Sequence, residues 1–108
     1  MSSMESKLSD LIKGIDLYAR KGWVLNARVF YDELVGLLGE SDNALVEKAN
    51  LSIMRGYLND FDCKIQRGSR LAFNAYLEAR DFAGKDPSEA QRIVLRQMEN
   101  SFFSYKRF

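Results

Sequence analysis

The stretch Trp23-Val24-Leu25-Asn26-Ala27-Arg28-Val29-Phe30-Tyr31-Asp32-Glu33-Leu34-Val35-Gly36-Leu37-Leu38 decides the class of fold. Its apolar side chains cover most of a helical circumference, with Asp32 and Glu33 as a polar edge. A helix apolar nearly all round must be buried nearly all round. The segment is therefore expected to be either the central helix of the fold or part of an oligomer face. Gly22 precedes it and Gly39 ends it; Glu40-Ser41-Asp42-Asn43 then reads as a loop with an N-cap for the next helix.

Upstream, residues 3–20 read as an amphipathic helix. Ser2 and Glu5 fit a capping box. Met4, Leu8, Leu11, Ile12, Ile15, Tyr18 and Ala19 fall on one face. Arg20 and Lys21 sit where the helix dipole favours cations, and Gly22 supplies a left-handed stop. Downstream, residues 44–83 admit two readings. One is a pair of helices broken at Gly68-Ser69. The other is a single long helix, because Leu51, Met54, Leu58, Phe61, Ile65, Gly68, Ala72, Ala75, Ala79 and Phe82 keep alternating spacings of three and four without a phase slip. A last helix is expected to start with Asp86 as N-cap, Pro87 at the first position and Glu89 completing the box. Its apolar face is Ala90, Ile93, Val94, Met98 and Phe102, and it runs into an aromatic end at Phe102, Phe103, Tyr105 and Phe108. No alternating period-2 run of useful length occurs, so the expected fold is an all-α bundle of four to five helices.

The chain has 108 residues, 46% of them hydrophobic, which suffices for the core of one helical domain over 1–108. Sixteen basic residues stand against fifteen acidic ones, so overall charge gives no pull toward nucleic acid or anionic membrane. There is no histidine and only one cysteine, which excludes an intramolecular disulfide and the usual zinc sites. Asp62 and Lys64 flank Cys63 and cancel, so Cys63 reads as a small core or boundary residue. The first six residues lack the basic flank and apolar run of a secretory signal, and no stretch approaches the roughly 18 apolar residues of a membrane span. A cytoplasmic location is the expectation.

Residues 11–34 resemble one tetratricopeptide-type helical hairpin, with Leu11, Tyr18, Gly22, Ala27 and Tyr31 at matching spacings and Leu34 close behind. A large residue packs between the paired helices, Gly turns the chain, and Ala lets the second helix approach the first. A second copy runs through Gly68, Ala72, Tyr76 and Ala79, displaced by 45 residues rather than the 34 of that family. The Gly-to-Ala distance is one residue shorter in this copy, and its Pro arrives late, at Pro87. The resemblance implies helix pairs and a groove for a peptide or helix of another protein, without singling out any residue.

Chemistry is hard to find. Acid–base and nucleophilic catalysis recruit His, Cys or paired carboxylates, and Asp60 and Asp62 point to different faces of a helix. No Gly-rich phosphate loop, nucleophile elbow or dinucleotide fingerprint is present, and the acids are too scattered for a carboxylate metal site. No enzymatic activity, cofactor or metal is expected. The expected function is a small protein-binding module (adaptor, chaperone, inhibitor or regulatory subunit) with another protein or a second copy of itself as partner. Its candidate anchors are Trp23, Phe30, Tyr31, Phe102, Phe103 and Tyr105, because aromatic residues dominate interface hot spots. The alternative is a nucleic-acid-associated protein whose basic face comprises Lys64, Arg67, Arg70, Arg92 and Arg96.

Overall fold

Five helices follow one another in the computed structural model: α1 Ser2–Arg20, α2 Val24–Leu38, α3 Ala44–Ile65, α4 Ser69–Ala83 and α5 Glu89–Lys106. The structure describes residues 2–39 and 44–106, with side chains at 4–39 and 44–103, and no strand occurs among them. The fold is all-α. The expected capping box at Ser2, the loop over 40–43 and the side chains of Tyr105 and Phe108 lie outside what is described.

The first turn is built as its residues dictate. Gly22 takes a φ of +76°. Its N–H donates to the Ala19 carbonyl at 3.0 Å, and the Trp23 N–H donates to the Tyr18 carbonyl at 2.9 Å. That crossed pair is the Schellman arrangement, which satisfies carbonyls the helix end would otherwise leave open. The apolar contact that accompanies it is here aromatic: the Trp23 and Tyr18 rings stack at 5.9 Å.

The single-helix alternative over 44–83 is corrected by the structure. The Arg67 and Gly68 N–H groups both donate to the Lys64 carbonyl, at 2.9 and 3.0 Å, which closes α3, and the chain reverses so that α4 packs back along α3. The heptad spacing describes two stripes that face the same core after the reversal. Met54, Phe61 and Ile65 are buried on α3, and Ala72, Ala75 and Ala79 are wholly buried on α4. Small side chains on α4 let the backbones approach, and the buried apolar area outweighs what continuing the helix into solvent would gain.

The central helix is α3, not α2. Its backbone closely approaches those of all four others, whereas α2 does so only with α1 and α3 and reaches α4 through the Tyr31 and Arg28 side chains on Phe82. Ile53, Met54, Tyr57 and Phe61 are 0% exposed. By contrast Leu25 and Val29 on α2 are 69% and 65% exposed. The helices form a long, thin stack, 57 × 25 × 14 Å, with a radius of gyration of 14.8 Å against roughly 13 Å for a typical domain of this length. A stack two helices thick has edges, and α2 lies on one. The reading of α2 as the central helix is overturned for that reason, and within one chain its outer side is left uncovered. Cys63 is exposed rather than core, on the outer side of the last turn of α3.

The helices repeat. α2 and α4 are each 15 residues long, and their matching positions are 45 apart in the chain. Ala27 and Ala72 are each the fourth residue of their helix, and both are 0% exposed. Leu34 and Ala79, Gly39 and Gly84 correspond in the same way, each glycine closing its helix at positive φ. The one-residue difference in Gly-to-Ala distance is absorbed by Trp23, which stands between Gly22 and the start of α2. α5 continues the series: Gln91, Val94 and Met98 are buried as Val46, Ala49 and Ile53 are, 45 residues earlier. The cap of α5 is Ser88, not Asp86. The Gln91 N–H donates to the Ser88 hydroxyl at 3.2 Å and the Ser88 N–H to the Gln91 side chain at 2.8 Å, a reciprocal box two residues later than expected.

Candidate functional site

Helices α1 and α5 flank α3 on the same side and do not touch each other. Between them α3 presents one stripe, Lys48, Leu51, Ser52, Arg55, Leu58 and Asn59, as the floor of an open cleft of about 680 Å³. α1 contributes Asp16 and Arg20 to one wall, and α5 contributes Ile93 and Gln97 to the other. Two side-chain bonds tether the α1 wall to the floor: the Ser52 hydroxyl donates to Asp16 at 2.9 Å, and the Asn59 amide donates to the Ala19 carbonyl at 3.4 Å. Asp16 is the only acid in the lining among the described residues, and it accepts the Ser52 bond. Arg20, Lys48 and Arg55 are exposed and form none of the ion pairs among the described residues. Ile93 is 53% exposed on the opposite rim. Among the described lining residues the cleft thus combines three cations, against the single carboxylate of Asp16, with an apolar floor and rim.

Buried polar groups serve the scaffold. The Arg28 guanidinium donates to the Tyr57 hydroxyl at 3.0 Å and lies 5.3 Å over the Phe82 ring. Burial pushes the Tyr57 phenol above its ordinary pKa, against the opposing pull of Arg28. Gln91 donates to Asn50 at 2.6 Å, and Asn50 donates to the Tyr31 hydroxyl at 3.1 Å, which links α5, α3 and α2. Tyr76 donates to Glu99, joining α4 to α5. Among the described residues no buried side-chain polar atom lacks a partner, and no three metal-ligating side chains cluster. No helix there is long and apolar enough to cross a membrane.

The candidate anchors divide. Phe30 lies against Gly14 and 5.6 Å from the Tyr18 ring, so it holds α1 to α2. Tyr31 meets Phe82 edge-on at 5.4 Å as well as accepting from Asn50. Phe102 is half-buried against Phe73 at 5.8 Å. Trp23 and Phe103 are the exposed members, at 53% and 64%, although Trp23 is engaged by Tyr18 and by Lys21, 4.8 Å from its ring. The Tyr105 side chain is outside the described set. Trp23, Leu25 and Val29 remain as an apolar edge on α2.

The basic candidates do not form one face. Lys64 pairs with Asp60 at 2.9 Å, and Arg92 pairs with Asp86 at 3.6 Å. Arg67 and Arg70 belong to the turn end of α3. Arg92 follows Gln91, which meets Asn50 roughly 20 Å back along α3 from Lys64 at 1.5 Å per residue, and Arg96 lies one turn further along α5. Sequence reasoning missed Arg20, Lys48 and Arg55. A signal was present, since Lys48 and Arg55 alternate with Leu51 and Leu58 on one stripe, but the two leucines fit the core seam equally well.

Compared with models of known protein families, with curated proteins and with solved structures, the chain matches none. Fold and site alone define the class: a stack of helix pairs with one helix left over, open along the side where the first, third and fifth helices lie.

Proposed function

We propose that this protein is a small non-enzymatic protein-binding module of the adaptor, chaperone, inhibitor or regulatory-subunit kind, with tetratricopeptide-like helix pairing and a cytoplasmic setting. Its partner site is the cleft floored by α3. The observation that carries the reading is the α3 stripe itself, where Leu51 and Leu58 are only half-buried and Lys48 and Arg55 reach solvent, paired with no carboxylate among the described residues. Partner helices docking into apolar grooves use such stripes, with anchors one turn apart.

The test is site-specific photo-crosslinking in cells. A photoreactive amino acid placed at Leu58 should give an adduct with one polypeptide of defined mass. The same group at Glu78, exposed on α4, should give none. Adducts of equal yield at both positions, or none at Leu58, would sink the proposal. An adduct confined to Val29 would move the partner site to the α2 edge and overturn the cleft assignment.

A further inference from the structure

We infer that the occupant of the cleft is a helix of another protein whose docking face alternates acidic and large apolar residues at three- and four-residue spacing. The inference rests on the cleft being a partner site and specifies the partner's chemistry. The argument starts from register. On α3 the exposed stripe runs Lys48, Leu51, Arg55, Leu58, a cation and an apolar residue in turn. Successive steps along it are about 4.5 and 6 Å, the rise of three and four helical residues. A second helix laid along α3 has the same rise and keeps pace with every step. An extended chain places same-side residues about 6.6–6.8 Å apart and drifts out of phase within one repeat.

Charge comes next. Arg20 on the α1 wall extends the line begun by Lys48 and Arg55, and the Ser52 hydroxyl already engages Asp16. The three cations face a shared space with no carboxylate paired to any of them among the described residues. Complementary potential selects partners and speeds encounter, so an acidic face is favoured and a basic one is repelled. Half-buried Leu51 and Leu58, with Ile93 on the rim, supply the apolar contact. A nucleic acid is the weaker match. Among the described residues no aromatic side chain lines the cleft to stack a base.

The experiment is fluorescence anisotropy on the full chain with four labelled probes. The first is a peptide on the order of fourteen residues, two heptads long, carrying glutamate and leucine in the inferred alternation. The second replaces each glutamate with lysine. The third is the first with a central proline pair. The fourth is a single-stranded oligothymidylate. The acidic helix should bind, and the lysine and proline peptides should bind roughly tenfold or more weakly, since several exposed pairs act together. The variant carrying Arg20→Glu, Lys48→Glu and Arg55→Glu alters exposed side chains only, and its circular dichroism should be unchanged. It should reverse the preference, losing the acidic peptide and gaining the lysine one. Equal binding of the acidic and lysine peptides would overturn the inference. So would an unchanged preference in the triple variant, undiminished binding of the proline peptide, or tighter binding of oligothymidylate. No binding of the acidic peptide, alongside a specific adduct at Leu58, would overturn the charge assignment while the cleft stands. Failure of both would remove the cleft as well.

Discussion

Gly36 and Gly56 make a matched pair that isolates the closest approach between helices. Each lies inside a helix, Gly36 in α2 and Gly56 in α3, and neither takes a positive φ. A Cβ added at Gly36 would meet nothing within 4 Å. One added at Gly56 would lie 3.1 Å from the Ala19 Cα, 3.1 Å from a Val24 methyl and 3.2 Å from the Ala19 Cβ. Replacing Gly by Ala in a helix interior gains about 1 kcal/mol in both places. At Gly36 nothing opposes that gain, so Gly36→Ala should stabilise by about 1 kcal/mol, about 4–8 °C in Tm for a chain of this size. At Gly56 the neighbours are a backbone atom and a β-branched side chain with little freedom to turn. Overpacking of that kind costs about 1–3 kcal/mol. Gly56→Ala should therefore be neutral to destabilising by up to about 2 kcal/mol once the helical gain is subtracted. The propensity term cancels between the two variants, so the gap of about 1–3 kcal/mol measures the contact alone. Urea and thermal denaturation followed by circular dichroism read it directly, at a common denaturant slope. Equal stabilisation of the two variants would mean that α3 does not pass this close to the α1–α2 turn, and the packing argued for that turn would be refuted.

Other consequences can be checked on the same protein. Ser88→Ala should cost about 1 kcal/mol through loss of the cap, while Asp86→Ala, at a side chain 99% exposed, should cost far less; the reverse order would return the cap to Asp86. Phe61→Ala, at the buried centre of α3, should cost about 3–5 kcal/mol and abolish a large share of the cooperative transition. Burial raises the pKa of Tyr57, with the Arg28 hydrogen bond and charge acting against it, so the fold favours the neutral phenol. Its contribution is fully present below the unfolded value of about 10 and is lost as pH rises through the higher folded value. Denaturation midpoints of the wild type should therefore fall more steeply above pH 10 than those of Tyr57→Phe, and parallel curves would contradict the assignment.

Local physics carried much of the architecture. Gly22 and Gly39 stop helices in the structure where their residue type and flanking periodicity place the stops, whereas at Gly68 the unbroken periodicity left two readings open and the chain reversal decided between them. The helix pair implied by the tetratricopeptide resemblance over Leu11, Tyr18, Ala27 and Leu34 corresponds to the packing of α1 against α2. Caps were legible only to within a step or two. Asp86-Pro87-Ser88 offers two competent cap residues in a row, and the choice of Ser88 is made together with the burial of Gln91, which reaches across to Asn50.

By itself the sequence determined an all-helical chain, the boundaries of its first hairpin and a 45-residue echo of small residues. Only the tertiary structure decided which helix is central, because hydrophobicity measures how much surface seeks cover and not which neighbours supply it. α2 is the more apolar helix yet lies at an edge, and α3, with more charge, packs against all four other helices. The same limit hid the candidate site. Lys48, Arg55 and Arg20 are remote in sequence and ordinary one by one, and they become a shared field only when α1 packs beside α3. Leu51 and Leu58 obey the periodicity of a core position, and whether such a residue is sealed or left at the floor of a cleft depends on the distance between two helices that never touch.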